Sequence, residues 1–364
     1  MILPRKRMTL VLAFTLASLC ALSSFGDSAK SQVVDRELQS RNFATNKIGT
    51  NPTRGMVIYL PPGYGESSQR YPVIYFLPNN FEGNYRFVFD KRDARSLFDR
   101  AIAAGVIGKF ILVCVDITTP LGNSWAVNSP VTGNWDDFVT QELVPDIDAN
   151  FKTWPSRDSR GIAGVFMGGH GAIRLAMRHP EVFGSVYAMH PVGTGSGIQI
   201  MDSLPNWDLL ANAKTQDEVK KDGYSLIFTT IFQAFLPNAD HSPLFFDQPA
   251  HRDGGRLVID GKLTERLRNS FFLESMIPQY ADNLKSLRGF KFDWARSDLN
   301  QDHVYSNQAF THKLNEFGII HEAEEYNGAW GEPNWGQDGR VYTAVLPFFQ
   351  RHLGFGGHNE NSPK

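Results

Sequence analysis

Short apolar runs separated by longer stretches of mixed polarity organise the chain from residue 55 onward. Runs at 55–60 (GMVIYL), 71–77 (YPVIYFL), 109–116 (KFILVCVD), 159–165 (SRGIAGV), 183–190 (FGSVYAMH), 290–295 (FKFDWA) and 321–326 (HEAEEY) predict strands. Between most of them the spacing is helical. Residues 135–151 carry Phe138, Leu143 and Ile147 on one face, and residues 168–179 open on two glycines and stop before Pro180. Strands alternating with helices predict a mostly parallel sheet with helices on both faces, an α/β fold. The alternation lapses once, between about residues 193 and 288. Helical and loop-rich text such as DGYSLIFTTIFQAF predicts a cap inserted there over the strand ends. Residues 354–364, GFGGHNENSPK, predict a frayed tail.

The first residues depart from this pattern. Arg5, Lys6 and Arg7 precede the run MTLVLAFTLASLCALSS, and small or polar residues follow around Ser24, Gly26 and Asp27, which predicts a signal peptide over residues 1–26 and a secreted or periplasmic domain over 27–353. The run is short for a spanning helix, so no stable membrane span is expected after cleavage. Leu19 before Cys20, where lipoprotein sites carry a small residue, counts against lipidation. Cys114 then stands alone in an apolar run and predicts a buried thiol. With 364 residues, 42% of them hydrophobic, the chain can bury a large core. Its net charge of −2 gives no basic surface, and nucleic acid is not an expected partner.

The densest chemical signal is RGIAGVFMGGHGAIRLAMRHP, residues 160–180. A buried strand turning sharply into a helix needs small residues two places on either side of the apex, because the two backbones nearly touch. Gly164 and Gly168 flank Phe166 in this way, and the backbone N–H of Met167 is placed as an oxyanion donor. An apex of this kind carries positive φ, at a cost of roughly 1–3 kcal/mol for a residue other than glycine.

Together with VIYLPPGYGESSQRYPVIYFLP and GNWDDFVTQELVPDIDANFKT, this stretch resembles the bacterial putative-esterase family of α/β hydrolases, relatives of esterase D and of mycolyltransferases. The resemblance covers about residues 50–353 and is strongest over 56–190. It implies the α/β-hydrolase fold with a helical cap insertion, and a serine, an acid and a histidine in that chain order. Carried over position by position, the serine falls on Phe166 and the histidine on Trp330, in NGAWGEPNW where relatives resemble G-G-H-x-W. The acid falls on Asp298, with Asp302 as second choice. The oxyanion loop, where relatives resemble H-G-x, reads Pro78, Asn79 and Asn80, leaving the N–H of Asn80 as its donor. Joint replacement of serine and histidine predicts loss of the Ser-His unit.

Other candidates are weaker. Ser124 in GNSWA imitates the elbow spacing but has no helix behind it. His170, on the helix after the glycines, reads either as a residue beneath the site or as one bonded to a neighbouring loop, and His190 ends a strand at the site rim. GTGSG, 193–197, lacks the lysine and helix start of a phosphate loop, and no cofactor is expected. Asp298, Asp302 and His303 match no trusted metal spacing; Asp302 reads instead as a helix N-cap, and no metal is expected. Trp125 and Trp335 join Phe166, Trp330 and His190 as candidate pocket walls. Those aromatics read either as collapsed core or as a pocket for an ester or carbohydrate ligand. Two functions follow: a binding or accessory protein without Ser-His-Asp hydrolysis, or an active ester hydrolase or acyl transferase with a non-standard nucleophile.

Overall fold

The computed structural model describes residues 30–79, 84–195, 204–331 and 334–356. The signal-peptide residues 1–26, Cys20 and Asn80 lie outside them. Eight strands form one sheet: β1 (Gln32–Gln39), β2 (Thr53–Leu60), β3 (Val73–Leu77), β4 (Ile111–Val115), β5 (Arg160–Val165), β6 (Ser185–Met189), β7 (Gly289–Ala295) and β8 (Glu322–Tyr326). Their order is β1-β2-β4-β3-β5-β6-β7-β8. The pairs β1–β2 and β2–β4 are antiparallel, and every pair from β4 to β8 is parallel.

The central strands read as unbroken apolar runs because both their faces are covered. Tyr59, Ile74, Phe76, Leu112 and Cys114 point to one layer; Ile58, Val73, Tyr75, Ile111 and Val113 point to the other. The Cys114 thiol is buried, as its apolar setting predicts. Helices α1 (Ala94–Ala103) and, at the C-terminus, Leu346–His352 cover the first face through Leu97, Phe98, Phe348 and Phe349. The second face is covered by α2 (Val144–Asn150) and α3 (Met167–Arg178). The two edge strands escape the apolar pattern: β8, EAEEY, is acidic and mostly half-buried. β1, QVVDRELQ, is an edge strand whose residues alternate between exposed and half-buried, so it carries no apolar run to betray it.

The insertion after β6 contains α4 (Gly223–Phe235), a hairpin of Ala250–Asp253 and Arg256–Ile259, α5 (Gly261–Phe271) and α6 (Leu273–Lys285). α4 and its neighbours join the first core layer through Trp207, Phe228 and Phe232. α6 instead buries Leu273, Ile277 and Leu284 in the second layer beside α3, so the segment 193–288 divides between a cap and a sheet-covering helix. The chain then continues through α7 (Gln301–Glu316) and ends with α8 (Leu346–His352). Gly354 is still docked, exchanging hydrogen bonds with Asp158 O and Ser159 Oγ at 2.8 Å each. Among the described residues no helix is long and apolar enough to cross a membrane.

Two glycines set the contact between β5 and α3. A Cβ on Gly164 would overlap the carbonyl of Gly168, and one on Gly168 would overlap the carbonyl of Leu77 on β3. Each obstacle is backbone and cannot rotate away. Gly168→Ala is therefore expected to lower stability by about 1–3 kcal/mol or more, whereas Gly261→Ala, with open space at its Cβ, should stay within about 0.5 kcal/mol. Urea unfolding of the two variants beside the native chain checks this.

Candidate active site

Phe166 stands at the apex between β5 and α3, with φ 56° and ψ −112°. Its backbone is tied down on both sides: its N–H donates to Met189 O at 3.0 Å, and its carbonyl accepts from His170 N–H at 3.0 Å. The side chain at this apex is a phenyl ring, buried to 9% exposure and lacking any nucleophilic atom. It packs against Trp330 (ring centroids 5.0 Å apart), His303 (5.2 Å, edge-on) and His190 (6.3 Å, stacked). Trp330 lies in the loop after β8, so the two aromatics meet in space.

Asp298, the acid candidate, sits after β7. Asp298 Oδ2 accepts from His190 Nε2 at 2.7 Å and from His303 Nδ1 at 2.8 Å, while Oδ1 accepts the Asn300 N–H at 2.9 Å. Burial alone would push this carboxyl up; the hydrogen bonds from His190, His303 and Asn300 N–H outweigh burial and hold it well below the ordinary carboxylate range. His190 follows β6 with φ 46°. Its N–H is held by Asp293, whose carboxylate also binds Tyr187 Oη at 2.6 Å and Arg340 Nε at 2.7 Å. Its Nδ1 accepts the Ala295 N–H at 3.0 Å, which places the ring proton on Nε2, facing Asp298. Burial pushes the His190 imidazole down, against the pull of Asp298, so the ring is neutral beside an ionised acid.

His190, Asp298 and His303 offer side-chain atoms within 4.8 Å of one another, a spacing that a metal ion would accept. The partners argue otherwise. A metal-bound imidazole normally donates from its second nitrogen, whereas the second nitrogen of His190 receives a backbone N–H. The trio fits a chain of two imidazoles on one carboxylate. Asp302 does not cap the helix: Asn300 occupies the N-cap position of α7, and Asp302 lies in the first turn, because Asp298 already takes the Asn300 N–H and turns the chain there.

His303 is the residue that sequence reasoning set aside. It lies in the first turn of α7, five residues after the acid, and the turn at Asp298 folds it back over the carboxylate. Its side chain is 15% exposed, and among the described residues nothing bonds its Nε2. A histidine so soon after the presumed acid was the available signal.

Phe166, Met167, Trp125, Asp298, Asp302, His303 and Trp330 border a cavity of about 620 Å³, closed on the cap side by Ile227, Phe228, Ile231, Phe271 and Phe272. Trp125 donates from its indole to Thr230 Oγ1 at 3.0 Å, tying the wall to α4. Met167 begins α3, so its N–H has no partner within the helix. The remaining candidates lie off the cavity wall, His190 among them, buried behind Asp298. His170 is buried beneath it between Trp125 and Phe271, with Nδ1 3.0 Å from Val192 O; burial and nearby Arg174 push it down to about 3. Trp335 packs instead on Phe76 and Phe98, because the loop after β8 carries it back over α1. Ser124 is buried in its loop, where its Oγ accepts the Ala126 N–H at 3.3 Å.

A sheet of this order, with a strained apex between β5 and α3 and Asp298 after β7, defines the α/β-hydrolase fold. The chain belongs to the family described as Putative esterase, whose model matches residues 48–250. It is similar to Esterase Rv1288 of Mycobacterium tuberculosis, 28% identical over 301 residues, which are 81% of this chain and 56% of that protein. The chain therefore spans little more than half the length of that relative. A ferulic acid esterase superposes with a TM-score of 0.60 at 18% identity, over 89% of this chain and all of the other. A serine-to-alanine variant of the feruloyl esterase module of Clostridium thermocellum, complexed with sinapinate, superposes with 0.52 at 13% identity, over 90% and 92%.

Two measurements test this geometry. Phe166→Ala loses a buried ring yet keeps the strained apex, and is expected to destabilise by about 1.5–3 kcal/mol. Phe166→Gly relieves the strain and should come out more stable than the alanine variant by about 1 kcal/mol, reversing the usual order of the two residues. Equal midpoints in denaturant would contradict a strained apex.

The second concerns acid. His170 is neutral in the fold with its value lowered from 6.5 to about 3, so its contribution is complete above 6.5 and is lost as pH falls from there toward the folded value. His170→Asn, which retains a donor for Val192 O, should therefore be most destabilised relative to the native chain at neutral pH and progressively less so as pH falls. A difference that stays constant with pH would count against a buried neutral imidazole.

Proposed function

We propose that this chain is an exported protein of the esterase family that binds a small ligand in its capped cavity without Ser-His-Asp hydrolysis. One observation carries the reading: the apex that holds the nucleophile in this fold is occupied by Phe166, packed face to edge on Trp330 at the family's histidine position. A serine-to-phenylalanine change alone would leave the base in place; here both positions have become one aromatic contact. Ser-His catalysis is a unit, and loss of one member leaves little for the other to do.

The cavity is still there. Phenylalanine at the apex has not collapsed the site into core, since about 620 Å³ remains between the elbow and the cap. Its walls are aromatic and aliphatic, with a few polar groups gathered at Asp298, Asp302, His303 and Ser306. That division suits a ligand with an apolar body and one polar end, such as an aryl or acyl ester or a sugar carrying one, and an envelope component is a fitting source. The feruloyl esterase module complexed with sinapinate binds a ligand of this shape on the same fold. The arginine and lysine residues ahead of the N-terminal apolar run support export.

One observation favours the second reading, an ester hydrolase with another nucleophile: Asp298 still holds a histidine, His303, at the cavity wall. A fluorophosphonate probe separates the two. The native protein is expected to remain unlabelled, and to show quenching of tryptophan fluorescence by aryl esters through Trp125 and Trp330. Covalent labelling of any serine, Ser297 and Ser306 on the cavity wall included, would overturn the binding reading in favour of hydrolysis.

A further inference from the structure

Resting on the reading that serine chemistry is absent, we propose that Asp298 and His303 form a relocated acid–base pair whose free nitrogen takes the proton of a phenolic ligand bound in the cavity. The histidine now comes from the first turn of α7 instead of the loop after β8, and that loop fills the vacated place with Trp330.

The arrangement has the parts that a base requires. Asp298 is ionised and receives His303 Nδ1 at 2.8 Å, so Nδ1 carries a proton and, in the neutral ring, the lone pair is on Nε2. His190, locked by the Ala295 N–H, holds the other side of the same carboxylate oxygen at 2.7 Å and prevents Asp298 from turning away. His303 borders the cavity, and nothing among the described residues occupies Nε2. Among the described residues the titratable groups facing the pair are His190 and Asp302.

The surroundings choose the ligand. Among the described residues the lining contains two carboxylates, Asp298 and Asp302, and no lysine or arginine, so a ligand that arrives as a carboxylate meets like charge. A neutral hydroxyl arrives without that penalty. An aliphatic hydroxyl is too weak an acid to yield its proton to imidazole, whereas a phenol ionises near 10, as the tyrosine side chain does. The anion then gains a second support, because the N-terminus of α3 opens on the same cavity at Met167. In the transfer the phenol O–H bond breaks, its electron pair stays on oxygen, and the proton forms an N–H bond at His303 Nε2. Asp298 remains a carboxylate throughout, and the proton returns on release.

The probe is 4-nitrophenol, whose phenolate absorbs in the visible, with nitrobenzene as the partner lacking the hydroxyl. At about one pH unit below the free phenol's own ionisation, native protein is expected to shift the bound phenol to its phenolate spectrum. His303→Asn keeps a donor for Asp298 but lacks Nε2. It should abolish the shift and weaken 4-nitrophenol binding about tenfold, while nitrobenzene still quenches the tryptophans as in the native protein, which shows the cavity intact. An unshifted spectrum for bound phenol in native protein that takes no fluorophosphonate label, or a shift that survives in His303→Asn, overturns the proposal. Fluorophosphonate labelling would instead overturn the reading beneath it.

Discussion

Everything at the site depends on how closely α3 approaches β5 and β3. Gly164 and Gly168 leave no room for a side-chain carbon at either position, since the carbonyls of Gly168 and Leu77 already fill those places. With strand and helix pressed together, the residue joining them has no relaxed conformation available, and Phe166 takes φ 56°. The same closeness aims the N-terminus of α3 at the space above the sheet. Apex, helix terminus and cavity floor are thus one consequence of two glycines, whatever side chain the apex carries. This is why the elbow forms with the aromatic ring of Phe166 at its apex.

The acid cluster is built on a different principle, the saturation of buried charge. A carboxylate at 6% exposure needs donors, and Asp298 finds one on each of three elements: His190 after β6, His303 on α7, and the Asn300 N–H in the turn between. Asp298 is therefore fully paired with no histidine in the loop after β8 among the described residues. Behind it a second buried carboxylate, Asp293, is saturated by Tyr187, Arg340 and the His190 N–H. The two acids share His190 between them, one through its backbone and one through its ring. That doubling explains how a non-glycine residue is held at φ 46°.

Much of this was legible in the sequence, for physical reasons that also mark where legibility stops. Strands buried on both faces appear as apolar runs, so β2 to β7 could be read directly. β1 could not, because an edge strand with one solvated side and charged residues looks like a loop. The elbow was legible because backbone contact demands glycine at fixed offsets, and Asp298 because the family's order of motifs leads to it. His303 was obscured by its neighbour: Asp302 offered a cap explanation for the same helix start, but Asn300 occupies the N-cap position and Asp302 lies in the first turn. Trp335 was misplaced for a simpler reason. Five residues of loop beyond Trp330 are enough to carry a side chain from the cavity to the α1 side of the sheet, and no periodicity constrains a loop.

The strained residues bear on whether the cavity matters. Among the described residues the non-glycine positions with positive φ are Asp93, Trp125, Ala126, Phe166, His190 and Phe245. Trp125 and Phe166 are cavity walls, Ala126 packs beside Gly171 of α3, and His190 braces the acid. Each such residue costs on the order of 1–3 kcal/mol and persists only where its surroundings hold it. A site relaxing into ordinary core would shed that strain first, since a glycine at residue 166 or 126 removes it in a single substitution. Instead the strained positions carry large, well-packed side chains, with Trp125 fixed to Thr230 and Phe166 to Trp330. The strain is thus held in place by the surrounding packing, and the cavity between elbow and cap stays open beside it.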